Sequence, residues 1–154
     1  MSKAFTFEKT DGGIGILIFD LQENSVNKFS TPVMMELETW IDKIQKMEDL
    51  RALIFMSGKP DSYIVGADVH EILDIGNEEQ GREAARRGQQ IFDRFSKLTI
   101  PAVAVINGAC MGGGTEISLA MDYRLATDHP KTRIALPEVT IGILPGWGGT
   151  QRLM

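Results

Sequence analysis

The spacing of hydrophobic and polar positions changes several times along the chain, and each change predicts a new element. Apolar positions alternate or run together over 4–9 and 15–20, on either side of the turn residues Asp11-Gly12-Gly13. This pattern predicts two strands joined by a tight turn. Three more buried strands are predicted from short apolar runs, over 53–56, 101–107 and 123–127.

Between these strands the spacing becomes helical. Ser30-Thr31-Pro32 predicts a helix start with a hydroxyl cap and a proline in the first turn. Apolar residues follow on one face: Val33, Leu37, Trp40, Ile41 and Ile44. A longer helix is predicted over 78–98, with these residues pointing inward: Ala84, Gly88, Ile91, Phe92 and Phe95. Strands that alternate with helices indicate an α/β fold around a largely parallel sheet with crossover helices.

The stretch 106–116 carries the strongest chemical signal. An apolar strand runs into Gly112-Gly113-Gly114, which opens onto a helix-like segment with a lone carboxylate at Glu116. Without a Cβ the backbone turns sharply, and its N–H groups can approach a ligand whose oxygen becomes negative during a reaction. The plainer interpretation is a tight strand-to-helix turn. The spacing is neither that of a dinucleotide fingerprint nor that of a P-loop.

Two carboxylates are candidates for proton transfer. Glu116 alone would be a solvated helix charge, but its neighbours are apolar nearly all round, which predicts a buried helix and hence a functional carboxylate. Glu138 follows Pro137, and its plainer interpretation is a surface turn residue. The two glutamates are 22 positions apart (138 minus 116), so they can meet only through the fold.

The segment 64–68 is a second candidate for ligand contact. The backbone N–H of Ala67, which follows Gly66, can form the other half of an oxyanion hole. Asp68 is equally well explained as the cap of the helix that follows it. Periodicity alone leaves both interpretations open.

Composition excludes several classes of function. The chain has 154 residues, enough for one domain, with a net charge of -5 and no basic cluster, which argues against nucleic acid as a partner. No apolar run approaches the ~18 residues of a membrane span. The single cysteine, Cys110, is predicted to be a packing residue, and His70 and His129 lack metal-ligand spacing, so no metal is expected. With no export or import signal at the start, the chain is expected to be cytoplasmic.

The last residues, 142–154, enter what reads as a new helix and stop. A helix needs more than one turn to be stable by itself. We therefore expect residues 1–154 to form the front part of a longer polypeptide, or to be completed by a partner.

Four segments resemble the enoyl-CoA hydratase (crotonase) superfamily over essentially the entire chain. They are 64–68, 105–116, 135–142 and 144–153, in the family's order. The sequence of residues 128–132, Asp-His-Pro-Lys-Thr, is most similar to the hydratase region of multifunctional fatty-acid-oxidation enzymes of the alpha-subunit type. The resemblance implies a spiral of β-β-α units, here without the family's C-terminal helices.

The same resemblance implies roles for individual residues. The N–H groups of Ala67 and Gly113 would bind a thioester carbonyl oxygen, and Glu116 and Glu138 would be the acid/base pair. Coenzyme A would be bound by Val65, Ala67, Asp68 and Val69. A second loop, with Ser25 and Val26, matches the family's other coenzyme A contact more weakly. Stand-alone members assemble as trimers or pairs of trimers.

The expected activity is the addition of water to 2-enoyl-CoA thioesters in fatty-acid β-oxidation, a lyase reaction without metal. Glu116 is expected to deprotonate the water, and Glu138 to supply the C2 proton. Two alternatives stay open: Δ3-Δ2 enoyl-CoA isomerisation or another crotonase reaction, and a non-catalytic acyl-CoA-binding or assembly subunit. Coenzyme A enters only as part of the substrate, and NAD only if a dehydrogenase region follows. The expected partners are copies of the chain in a trimer-based oligomer, or a fatty-acid-oxidation complex.

Overall fold

The computed structural model describes residues 4–154. Five strands form the main sheet: β1 (Phe5–Lys9), β2 (Ile14–Phe19), β3 (Ala52–Ser57), β5 (Ala102–Ile106) and β7 (Tyr123–Ala126). Their spatial order is β1-β2-β3-β5-β7, and every pair is parallel except the antiparallel pair of β1 and β2. The predicted hairpin and the largely parallel sheet are therefore confirmed.

A second, smaller sheet lies beside the first and was not predicted. Its strands are β4 (Ser62–Ile64), β6 (Ala109–Met111) and β8 (Arg133–Ala135), and they pair in parallel in the order β4-β6-β8. Each has only three residues, which is too short for an alternating pattern to show in the sequence. This sheet leads directly into the glycine triplet, because β6 ends at Met111.

The described residues contain five α-helices and one 3-10 helix. They are α1 (Thr31–Ile44), α2 (Val69–Leu73), α3 (Glu78–Phe95), α4 (Gly113–Leu119), α5 (Gly149–Arg152) and a 3-10 helix (Glu138–Ile141). The apolar faces of α1 and α3 join the main sheet in one hydrophobic cluster that includes Leu37, Phe55 and Phe92. Burial of these faces is the main stabilising term of the fold.

Four predictions about these elements were wrong in detail. Ser30 is at the N-cap position of α1, but its side chain makes no capping bond. The carboxylate of Glu71 accepts instead from the N–H of Thr31 at 2.8 and 3.0 Å and takes the place of the predicted cap. Helix α3 ends at Phe95, and Ala84 is exposed, because it faces an open cavity. Strand β7 is exposed throughout, since it is the edge strand that follows β5.

Residues 4–154 contain neither a helix that could span a membrane nor a cluster of possible metal ligands. None of the helices found there is long and apolar enough to cross a membrane. The same residues contain no group of three or more His, Cys, Asp or Glu placed to hold a metal ion. Cys110 is fully buried in the hydrophobic cluster, and burial raises the pKa of its thiol.

Candidate functional site

The glycine triplet lets three segments approach one another. Gly112 has φ +53°, and its N–H donates to the carbonyl oxygen of Ala135 at 3.0 Å. A Cβ on Gly112 would lie 3.1 Å from Oε1 of Glu138, and one on Gly114 would lie 2.3 Å from the carbonyl oxygen of Ile64. Side chains at these positions would push β4 and the 3-10 helix away from α4, so the close approach requires glycine.

Glu116 is held in the first turn of α4 and is only 2% exposed. Its Oε1 accepts from the backbone N–H groups of Trp147 at 2.7 Å and Gly149 at 2.9 Å. Burial raises the pKa of Glu116; these two N–H groups act in the opposite direction, and the nearby charge of Glu138 raises it further. The expectation of a buried glutamate is confirmed, and its partners are main-chain amides.

Glu138 is also buried, with 8% of its surface exposed, so the surface-turn interpretation is wrong. It begins the 3-10 helix directly after Pro137. Its Oε2 is buried and has no hydrogen-bond partner among residues 4–154. Both glutamates line one cavity of about 400 Å³, which we call the catalytic cavity.

Ala67 and Gly113 line the same cavity. A parallel backbone bridge pairs Phe29 with Ala67. In it the N–H of Phe29 donates to the carbonyl oxygen of Gly66 at 2.8 Å, and the N–H of Asp68 donates to the carbonyl oxygen of Phe29 at 2.7 Å. The N–H of Ala67 takes no part in this bridge, and neither it nor the N–H of Gly113 has an acceptor within residues 4–154. A Cβ on Gly66 would lie 3.9 Å from the nitrogen of Gly113, so the two segments are in contact.

The residues predicted to grip coenzyme A divide into two groups. Val65 and Val69 line the catalytic cavity beside Ala67. Asp68 faces a neighbouring cavity instead; it caps α2 by accepting from the N–H of His70 at 3.0 Å, as its plainer interpretation predicted. Its Oδ2 lies 2.8 Å from Nζ of Lys28, and this hydrogen bond lowers the pKa of Asp68.

Ser25 and Val26 line neither cavity. They belong to the loop before Asn27, whose carbonyl oxygen accepts from the N–H of Val65 at 2.9 Å. The loop therefore runs next to the predicted binding segment without reaching the catalytic cavity. Their contact with coenzyme A stays a prediction.

The sequence analysis missed the turn that holds Glu116. Arg152 donates from Nη1 to the carbonyl oxygen of Trp147 at 2.8 Å and forms an ion pair with Asp93, which fixes this turn against α3. The signal was present in the glycine-rich run 142–149, whose unhindered N–H groups suit a carboxylate. The partner of those N–H groups lies 31 to 33 positions away, beyond any local pattern.

The structural role of Asn27, which links the strands beside the site, was also not predicted from the sequence. Its side chain is fully buried and donates to the carbonyl oxygens of Phe19 (2.8 Å) and Tyr63 (3.2 Å) and to Oγ of Ser57 (2.9 Å). It also accepts from the N–H of Leu21 at 2.9 Å. One amide thus joins the ends of β2 and β3 to β4, which leads to Ala67.

Comparison with known proteins agrees with this geometry. The sequence profile of the enoyl-CoA hydratase/isomerase family matches residues 11–154. A fatty acid oxidation complex subunit alpha from Idiomarina loihiensis is 42% identical over 151 residues, which are 98% of this chain and 21% of the relative. The protein of the same name from Shewanella loihica is 40% identical over 153 residues, 99% of this chain and 22% of the relative. The chain thus spans about a fifth of their length.

Solved structures show the same fold. An enoyl-CoA hydratase from Bacillus anthracis matches with a TM-score of 0.87 at 31% identity, over 97% of this chain and 57% of that one. DspI from Pseudomonas aeruginosa matches with a TM-score of 0.86 at 31% identity, over 99% of this chain and 60% of that one. The crotonase-like fold and the resemblance to fatty-acid-oxidation alpha subunits are confirmed. Glycine triplet, buried glutamates and overall architecture agree with the profile match: the chain belongs to the enoyl-CoA hydratase/isomerase family.

Proposed function

We propose that residues 1–154 carry an enoyl-CoA hydratase site that adds water across the 2,3 double bond of 2-enoyl-CoA thioesters in fatty-acid β-oxidation. One observation carries the proposal: two buried glutamates and two backbone N–H groups without an acceptor among residues 4–154 line one cavity. The names of the relatives, fatty acid oxidation complex subunit alpha, support this reaction class.

The N–H groups of Ala67 and Gly113 bind the thioester carbonyl oxygen. When water attacks C3, electron density moves through C2 to this oxygen, which becomes enolate-like. Two donors fixed beforehand stabilise that charge, and removal of one such donor costs about 3–4 kcal/mol in other enzymes. The two segments lie side by side at Gly66 and Gly113, which supports the proposal that both donors serve one oxygen.

The two glutamates divide the proton transfers. Glu116 takes a proton from water as its oxygen bonds to C3, and Glu138 gives a proton to C2, so hydrogen and hydroxyl are added in balance. The two N–H groups on Oε1 of Glu116 suit a carboxylate, while burial raises its pKa toward the operating pH and makes it a stronger base. Oε2 of Glu138, without a partner among residues 4–154, is available to hold the proton that it delivers.

Coenzyme A is the only cofactor-like group in the proposal, as part of the substrate. Val65, Ala67, Asp68 and Val69 contact it, with Ser25 and Val26 as the weaker second segment. NAD enters only if a dehydrogenase region follows in the parent polypeptide. We propose that the chain works within a fatty-acid-oxidation complex or a trimer-based oligomer, as the names of the relatives suggest for the first case.

The test is hydration of crotonyl-CoA by the full natural polypeptide, followed by loss of the absorbance of the conjugated thioester. Glu116→Gln and Glu138→Gln should each lower kcat by about 10²–10⁴-fold, the usual contribution of a general acid or base. Binding of coenzyme A, measured by calorimetry, should stay within about twofold because neither carboxylate grips it. Glu48→Gln, an exposed carboxylate, is the matched control and should leave kcat unchanged.

Near-normal hydration in either glutamine variant would refute the two-carboxylate scheme. If the unchanged polypeptide converts a 3-enoyl-CoA to the 2-enoyl isomer but does not hydrate crotonyl-CoA, the site is that of an isomerase. Binding of acyl-CoA without any turnover would identify a non-catalytic subunit. Each result separates the proposal from one alternative.

A further inference from the structure

A second cavity of about 520 Å³ adjoins the catalytic cavity. The two share part of their lining: Ala67, Ile72, Ile75, Ala84 and Trp147. Trp147 is by far the largest of these side chains. As the largest side chain common to both linings, its indole is the candidate for the wall between the two cavities.

The neighbouring cavity suits a hydrocarbon chain and not the phosphates of coenzyme A. Apolar side chains from α1 and α3, among them Met34 and Ile91, line its interior. Its charged residues are four carboxylates and one guanidinium: Asp68, Glu71, Asp74, Glu83 and Arg87. An excess of carboxylates repels phosphate groups, whereas the apolar interior favours burial of methylene groups.

The Trp147 indole is wedged between two helices. A Cβ on Gly88 of α3 would lie 2.2 Å from its Cδ1, and one on Gly113 would lie 2.7 Å from its Cζ3. Phe29 and Phe92 pack against it edge-on, with ring centroids 5.9 and 5.5 Å away. These contacts hold the ring between α3 and α4.

The side chain and the backbone of Trp147 serve different purposes. Its backbone N–H holds Oε1 of Glu116 at 2.7 Å, and its carbonyl oxygen accepts from Arg152. Neither bond involves the indole. A substitution of the side chain can therefore remove the wall and still leave the backbone clamp on Glu116 in place.

We propose that the Trp147 indole sets the acyl-chain length accepted by this site. It keeps the acyl group of the substrate inside the catalytic cavity and out of the neighbouring one, so short chains are preferred. Removal of the ring joins the two cavities and lets a longer chain extend toward Met34 and Ile91. This inference rests on the proposed function.

The experiment compares kcat/KM for trans-2-decenoyl-CoA and crotonyl-CoA in the full natural polypeptide. In Trp147→Ala the decenoyl-to-crotonyl ratio should rise at least tenfold over that of the unchanged protein. Trp147→Phe, which keeps most of the ring, should give a smaller rise. Looser packing on Gly113 would slow both substrates alike, so the ratio separates a wall from a merely structural role.

Leu125→Ala is the control, because Leu125 lines neither cavity and is 62% exposed. Its ratio should stay within about twofold. If Trp147→Ala does not fold, Trp147→Leu and Trp147→Phe decide the matter. Turnover of crotonyl-CoA with an unchanged ratio in the folded variants would overturn this inference alone. No turnover of either substrate by the unchanged protein would overturn the proposed function and the inference together.

Discussion

Glu116 and Glu138 face one cavity from segments that are supported very differently. Glu116 lies on α4, where every residue from Gly113 to Ser118 is buried. Thr115 and Ser118 add hydrogen bonds to carbonyl oxygens at 2.7 to 2.9 Å. Glu138 begins a 3-10 helix whose next residues are largely exposed, with Val139 at 76%. One wall of the site is part of the core, and the other is a surface turn with a single buried carboxylate.

The difference shows where the site is organised in advance. In the proposed scheme the base must be oriented before water arrives, and Glu116 has packing, two main-chain donors and a fixed turn that would do this. The acid needs only a proton and freedom to reach C2. The Oε2 of Glu138 has no hydrogen-bond partner within residues 4–154.

The largest expected effect is a loss of stability on the buried side of the site, where α4 packs against β4. In Gly114→Ala the new methyl group would lie 2.3 Å from the carbonyl oxygen and 2.9 Å from the Cβ of Ile64. Neither backbone can move without disturbing β4 or α4. We expect a loss of about 3 kcal/mol in the free energy of unfolding, at the upper end for overpacking, measured by urea denaturation.

Gly142→Ala gives the matched change on the exposed side of the site, at the end of the 3-10 helix that begins with Glu138. Gly142 has φ +76°, but nothing lies within 4 Å of its position for a Cβ. Only the backbone conformation opposes the methyl group, at about 1–2 kcal/mol. Equal losses at the two glycines would contradict the contrast between the walls.

A smaller effect is expected where the turn holds Glu116 from behind. Arg152→Gln removes the ion pair with Asp93 and weakens the bond to the carbonyl oxygen of Trp147. Glu116 then loses orientation, and we expect about a tenfold lower kcat for crotonyl-CoA, which corresponds to about 1.4 kcal/mol. KM should change little, because Arg152 lines neither cavity.

Asp93→Asn is the control for Arg152, since it removes the charge partner and leaves the bond to Trp147. Its kcat should fall less than that of Arg152→Gln. If both variants lower the unfolding midpoint but leave kcat intact, Arg152 stabilises the fold and does not position Glu116.

The smallest effect is a pH dependence of stability. Burial raises the pKa of Glu116 in the folded protein above its usual 4.5. A carboxyl group shifted in this direction contributes stability that is fully present below 4.5 and is lost as the pH rises through the folded value. Glu116→Gln lacks this loss, so its free energy of unfolding should rise relative to the unchanged protein as the pH increases from 4.5 through the folded pKa of Glu116.

The gain amounts to about 1.4 kcal/mol for each unit by which the pKa is raised. Urea denaturation at several pH values measures it, with Glu48→Gln as the exposed control. A difference between Glu116→Gln and the unchanged protein that is flat with pH would mean that the main-chain donors fully offset burial.

Long periodic elements were predictable from the sequence, and short ones were not. Helices α1 and α3 and the main sheet have enough residues for a clear period. The strands of the small sheet have three residues each, and their pairing joins segments far apart in the chain. Strand β7 is exposed because it lies at the edge of the sheet, and its apolar residues gave no indication of that position.

The site was predictable where chemistry was local. Glu116 is recognisable because apolar residues surround it in the sequence, and the glycine triplet precedes it by only a few positions. The burial of Glu138 and the clamp from Trp147 and Gly149 depend on tertiary contacts. Family resemblance supplied Ala67 and Gly113 as a pair, and the structure puts them in contact with one cavity.

Helix α2, which follows Ala67, contributes no residue to the core. It is attached through Glu71 to the start of α1 and through the ion pair of Asp68 with Lys28. Gly113, in contrast, is anchored among hydrocarbon side chains. Salt screens the ion pair that holds α2 but does not screen the apolar packing around Gly113. If the N–H groups of Ala67 and Gly113 bind the substrate oxygen as proposed, the two donors differ in their sensitivity to ionic strength, and local opening should begin at helix α2.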